Sequence, residues 1–238
     1  MQEFNKNVEI VIARYNEDLS WINDFPFNQF EYIIYNKGDN ENFVKNNIKK
    51  IITLPNVGMC DHTYLYHIVN NYNSLANITV FLPGSVYLPN KINIAKSILN
   101  NILNSNFENA YFIGTYYDSV KNKFNNFTLD YHKCECMENN IKNDDTKLLN
   151  CKIRPYGKWY DYFFGNTPAH WVAMDGVFSV DKKDIIQHPI ERYNKLLHTI
   201  NIHYNHEGSH YIERSWGVIF FPMLYTIKIN SSDGISTI

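Results

Sequence analysis

Two carboxylates stand where a carboxylate can do proton chemistry. Glu213 is flanked by Tyr211 and Trp216 in a strongly aromatic stretch, and Asp175 lies just before a strand that begins at Val177, next to Gly176, which permits close approach. A carboxylate withdrawn from water is raised in pKa and can take a proton from a hydroxyl group. Turned to solvent, Glu213 would only pair with Arg214 or a neighbouring lysine, and Asp175 would serve the turn. Three basic groups, Arg14, Lys37 and His62, sit at or just past the ends of expected strands, where a cation can hold developing negative charge. The plainer roles are a loop charge for Arg14 and helix-end bonding for His62. Trp159, Tyr160, His170 and Trp171 carry rings able to stack on the apolar faces of sugars while their polar tips bond hydroxyls; they could equally cover a sheet edge. His203, His206 and His210, and His132, Cys134 and Cys136 with Cys151 downstream, are metal-ligating types. Zinc sites typically space their cysteines as Cys-x₂₋₄-Cys, and Asn205 and Gly208 imply a turn that splays the histidines, so no metal site is expected.

The stretch from Leu54 to Ser85 must position these groups. Asn56 and Gly58 suit a tight turn, Asp61 suits a helix N-cap, and Leu65, Ile68, Val69 and Tyr72 follow helical spacing. Ile78 to Leu82 is an uninterrupted β-prone run that stops at Pro83-Gly84, the pattern of a buried parallel strand. Ligands of open α/β sheets bind at the carboxyl ends of such strands, which directs attention to Pro83, Gly84 and Ser85. Earlier strands are expected over Val8–Ala13, Glu31–Tyr35 and Ile48–Leu54, with a helical turn over Asp18–Ile22. Later come a helix over Ile92–Leu103, a strand over Ala110–Gly114, and a strand over Val177–Val180. Helices follow over 182–186, 190–200 and 211–221, with Glu207-Gly208 read as a loop and Arg154–Tyr160 as an aromatic loop. Residues 118–150 are polar, rich in lysine and asparagine, and read as an inserted excursion. Alternating strands and helices specify an α/β fold with a mostly parallel sheet.

The chain has 238 residues, 45% hydrophobic and 19% charged, and a net charge of −2. That composition fits a single globular α/β domain and supplies no basic footprint for nucleic acid or anionic membrane. No apolar run approaches the roughly 20 residues of a membrane span. The N-terminal residues lack a signal peptide's basic and apolar regions. Four cysteines, at 60, 134, 136 and 151, do not form a disulfide pattern, so a reducing cytoplasm is expected (the host's, if the chain is viral). Aromatic content of 16% leans towards carbohydrate.

Three pieces taken in order, Tyr15-Asn16-Glu17, Asn36-Lys37-Gly38-Asp39 and Asn56-Val57-Gly58, resemble the nucleotide-binding half of GT-A glycosyltransferases. Together with Ala13-Arg14, His62-Thr63-Tyr64-Leu65, Gly176–Val180 and Glu213–Trp216, they also resemble an uncharacterised GT-A-like domain family of fungi and large DNA viruses. The likeness covers most of the chain outside the 118–150 excursion. It implies a GT-A-like (Rossmann-like), mostly parallel sheet flanked by helices, and transfer of a sugar from a UDP- or GDP-linked donor to a glycan or glycoprotein hydroxyl. By the same resemblance Tyr15, Asn16 and Glu17 border the nucleoside, and Asn36 and Lys37 lie near the base or phosphates. A typical member ends its central strand in Asp-x-Asp, which holds Mn²⁺ or Mg²⁺. Here the corresponding residues are Pro83-Gly84-Ser85, so a divalent metal is not expected to be essential.

The expected reading is a glycosyltransferase with Glu213 and Asp175 as candidate bases. Its donor-site residues are Arg14, Tyr15, Asn16, Glu17, Asn36, Lys37, His62, Pro83, Gly84 and Ser85. Trp159, Tyr160, His170 and Trp171 form its acceptor platform. The alternatives are a catalytically inactive nucleotide- or glycan-binding module on the same scaffold, and a virion assembly protein.

Overall fold

The computed structural model describes residues 4–130 and 148–232. Four parallel strands, β1 (Val8–Arg14), β2 (Tyr32–Asn36), β3 (Ile48–Thr53) and β4 (Ile78–Pro83), form the central sheet. A fifth, β7 (Phe178–Asp181), joins β4 antiparallel, giving the order β3-β2-β1-β4-β7. The register sets Arg14 beside Asn36 and Ala13 beside Pro83, so the strand ends form one rim. The order reverses between β1 and β4, the topological switch point outside which open α/β sheets bind ligands. Residues 171–172 (β6), 111–116 (β5) and 227–230 (β8) make a second, three-stranded sheet in the order β6-β5-β8.

Side chains alternate faithfully across the central sheet. Val11, Ala13, Ile33, Tyr35 and Phe81 face one core, with α1 (Met59–Asn71), α4 (Tyr156–Phe164), α6 (Ile190–Ile200), α7 (Glu207–Glu213) and α8 (Trp216–Ile219). Ile10, Ile12, Tyr32, Ile34, Val80 and Leu82 face the other, covered by α2 (Pro89–Asn104) and the short helical turns over 20–23 and 27–29. The fold is therefore mixed α/β, with a mostly parallel central sheet flanked by helices. The outer strand β3 carries exposed Lys49 and Lys50, charges that discourage edge pairing.

The expected strands recur within a residue or two, with three differences elsewhere. Arg154–Tyr160 is not a loop. Tyr156, Trp159 and Tyr160 repeat at i, i+3 and i+4, and that stripe buries as α4. The late helix is not continuous: α7 begins at Glu207, with His206 Nδ1 accepting from Gly208 N, and the chain breaks before α8. The excursion is shorter than its composition suggests. A five-residue helix, α3 (Val120–Phe124), buries Val120 and packs Phe124 edge-on against Tyr156. Residues 131–147, including His132, Cys134 and Cys136, lie outside the described residues. Among the described residues no helix is long and apolar enough to cross a membrane.

Candidate functional site

Loops leaving β1, β2, β3 and β4 meet on the carboxyl rim of the sheet, and the β6–β7 loop joins them because β7 runs back beside β4. Glu17 closes the β1 exit: its Oε2 accepts from Tyr15 N at 2.7 Å. The same oxygen lies against Gly84, where an added Cβ would come within 2.6 Å of it; a side chain at this position would have to displace the Glu17 carboxylate. Arg14, singled out as a cation at a strand end, and Asn36, which the resemblance placed near the base or phosphates, are both engaged in bonds within the rim. Arg14 is fully buried and donates to the carbonyls of Glu17 and Asn40 (both 2.7 Å) and to Asn36 Oδ1 (2.5 Å), with its guanidinium 4.0 Å from the Phe43 ring centre. Asn36 Nδ2 donates to Gly38 O, so the pair ties the β1 and β2 exits together. Tyr15 and Glu17 are half-exposed and Asn16 is exposed, which leaves these three able to meet a ligand.

Lys37 reaches across the rim and donates to the carbonyls of Val57 (2.6 Å) and Met59. Burial pushes its ammonium down to about 8, opposed by the nearby Cys60 and Asp61. Asp61 is not an N-cap; Gly58 holds that place in a left-handed conformation, and Asp61 points inward from the first turn of α1, 2% exposed. Trp216 Nε1 donates to Asp61 Oδ1 at 2.9 Å. Burial, with Glu213 adding repulsion, pushes the Asp61 carboxyl up to about 8. His62 turns to the α1–α6 junction, stacking on Tyr66 with Nε2 3.1 Å from Asn201 Oδ1; burial, then Lys37, push it down to about 4.

Glu213 and Asp175, far apart in sequence, come together. Glu213 Oε1 accepts from Asp175 N at 3.0 Å, and Oε2 lies 3.3 Å from Arg214 Nη1. Burial raises the Glu213 pKa, opposed by Arg214 and the Asp175 N–H, while the charge of Asp175 adds to the rise. Asp175 (φ 65°) and Gly176 (φ 68°) are both left-handed, a conformation that costs a non-glycine residue about 1–2 kcal/mol. Tyr64 on α1 holds the bend by donating to Gly176 O at 2.8 Å, and a Cβ at Gly176 would lie 2.8 Å from Cys60 Sγ. Lys91, the third residue of α2, donates to Ser85 Oγ at 3.0 Å, and its charge opposes the rise that burial gives Cys60 and Glu213.

The expected acceptor platform divides. Trp159 and Tyr160 are core residues of α4 with no face left for a ligand, whereas His170 and Trp171 are half-buried and pack around Tyr116. His203 bonds to Asn205 and His206 caps α7, so these two face separate partners. Among the described residues no three His, Cys, Asp or Glu side chains gather as a metal site.

Sequence reasoning missed Asp61, Cys60, Lys91 and Tyr116. Asp61 was hidden by its own suitability for a cap, and Lys91 could have been found from its place just inside the helix that follows β4.

A family model described as "Protein of unknown function (DUF3431)" matches residues 10–229. No curated protein and no solved structure matches the chain.

Proposed function

We propose that this chain, which belongs to the DUF3431 family, is a glycosyltransferase moving a sugar from a UDP- or GDP-linked donor to a hydroxyl of a glycan or glycoprotein. The observation that supports the reading is the reversal of strand order between β1 and β4, at whose exits Glu17 and Gly84 meet, with the Glu213–Asp175 pair brought to the same rim by the antiparallel β7. Tyr15, Asn16, Glu17 and the Pro83–Ser85 bend border the donor. Lys37 and Lys91 offset the charge of the diphosphate. The acceptor oxygen attacks the anomeric carbon as its proton passes to Glu213, and the bond to the diphosphate breaks with its electron pair going to the phosphate oxygen. Asp175 N holds Glu213 in place for that transfer. The residues at the β4 end do not fit a metal-held diphosphate: Pro83-Gly84-Ser85 offers no carboxylate, and the Asp61 carboxyl is taken by Trp216. No step is therefore routed through a metal.

A second reading, a nucleotide- or glycan-binding module without turnover, draws on a specific observation. Arg14, Asn36 and Lys37 are engaged with loop carbonyls and with each other, which leaves fewer cationic groups for a leaving diphosphate. Hydrolysis of a panel of UDP- and GDP-sugars, with and without Mn²⁺, tests the transferase. Thermal stabilisation by UDP or GDP without hydrolysis would favour the module. No response to any nucleotide would sink the transferase and the nucleotide-binding module, and leave a glycan-binding or assembly role.

A further inference from the structure

Tyr116 ends β5 with its side chain 46% exposed, yet its ring is held firmly. It stacks on His170 at 5.6 Å between centroids and 13° between planes, and Trp171 meets it edge-on at 5.5 Å. The backbone fixes the same group: Tyr116 pairs with Trp171 across β5–β6, and Tyr117 N donates to His170 O at 2.7 Å. His170 Nδ1 lies 3.2 Å from Tyr117 O. A carbonyl only accepts, so Nδ1 carries the proton and Nε2 is left as an acceptor. An uncharged, immobilised ring face beside a hydrogen-bond acceptor suits the C–H face and hydroxyls of a pyranose.

Its position relative to the carboxylates follows from strand direction. Tyr111 N bonds to Ser179 Oγ, and Phe112 packs on Phe178, which pairs with Phe81 near the end of β4. β5 therefore runs the same way as β4 and ends on the side of the carboxyl rim. Asp175 lies four residue steps after Trp171, which bounds their separation at about 14 Å, and the intervening Met174 is exposed. That span suits a sugar unit lying between the rings and Glu213.

We propose that Tyr116, backed by His170 and Trp171, is the platform on which a sugar ring of the acceptor stacks, with His170 Nε2 accepting from one of its hydroxyls. The assignment to the acceptor rests on the transferase reading; the sugar-binding surface does not. Saturation-transfer NMR with methyl glycosides of glucose, galactose and mannose tests it on the wild type, Tyr116→Phe and Tyr116→Ala. Transfer to the sugar C–H protons is expected in the first two, with affinity falling about tenfold or more in Tyr116→Ala. The residue is exposed, and an unchanged melting curve checks that the variant folds. Absence of transfer from the wild type, or equal transfer from Tyr116→Ala, overturns the platform. Thermal shifts with UDP and GDP on the same samples separate the two ideas. Nucleotide binding without glycoside binding removes the platform alone, and glycoside binding without nucleotide binding keeps it while removing the transferase.

Discussion

Replacing Asp61 with Asn removes one titrating proton while keeping an oxygen for the Trp216 N–H. In the unfolded chain this carboxyl ionises near its ordinary 3.8; folded, it holds its proton up to about 8. Between those values the native state binds the extra proton, so the Asp61 contribution to stability falls as pH rises and is fully lost above pH 8. At about 1.4 kcal/mol per pH unit, the loss between pH 5 and pH 8 is about 4 kcal/mol at most. Glu213, also raised, acts in the same direction. His62, lowered to about 4, acts in the opposite direction between there and its ordinary 6.5, and Lys37, lowered to about 8, acts above that value. The His62 contribution is common to both proteins and cancels in their difference, whereas those of Lys37 and Glu213 cancel in part only, because both groups interact with the Asp61 charge. Urea unfolding at pH 5, 6.5 and 8 is the assay. The stability of Asp61→Asn relative to the wild type is expected to rise by a few kcal/mol, about 4 at most, between pH 5 and pH 8. A difference that stays constant within about 0.5 kcal/mol across the three would mean that Asp61 is not held neutral, and the buried-acid account of the rim would fail.

Glu213→Gln is expected to lower transfer by about 10²–10⁴-fold while nucleotide affinity by calorimetry is preserved; retained turnover removes Glu213 as the base. Arg14→Ala strands the buried Asn36 Oδ1 and removes the donor shared by the Glu17 and Asn40 carbonyls, and should cost about 3 kcal/mol, read as a lowered melting temperature. A melting temperature equal to the wild type's would show that the two exits hold themselves. Glu207→Gln leaves one of two backbone donors without its charged acceptor and should shift the urea midpoint by an amount equivalent to about 2 kcal/mol, with an unchanged midpoint as the refuting result.

The parts of this fold legible in the sequence are those written locally. Each of β1, β2 and β4 is a β-prone run closed by polar or turn residues, and each ends on the expected side. The meeting of Glu213 with Asp175 was also foreseeable in kind, since aromatic neighbours and a glycine marked both as unusual carboxylates. Arg14 shows where locality ends. Its type and position at a strand end suit an anion, but its partners Asn36, Asn40 and Phe43 lie 22 to 29 residues away and claim the guanidinium first. Asp61 fails for the same reason: its burial is set by Trp216, which is 155 residues further along. His62 is likewise captured by Asn201, at the end of α6. Trp159 and Tyr160 are different, because their helical spacing was visible and the adjoining Pro155 and Gly157 obscured it.

The buried carboxylate of Glu207 accepts from Leu129 N at 2.9 Å and Cys151 N at 2.8 Å, from Tyr211 Oη at 2.7 Å, and pairs with Arg154. One side chain thus pins the chain on both sides of residues 131–147. The separation of residues 129 and 151 is thereby set by the folded body itself, through the two backbone donors that share Glu207. This junction is therefore the natural graft point of the molecule. A reporter domain or an affinity tag inserted between residues 130 and 148 is expected to leave the sheet and its rim unaltered, because Glu207 holds the chain on either side.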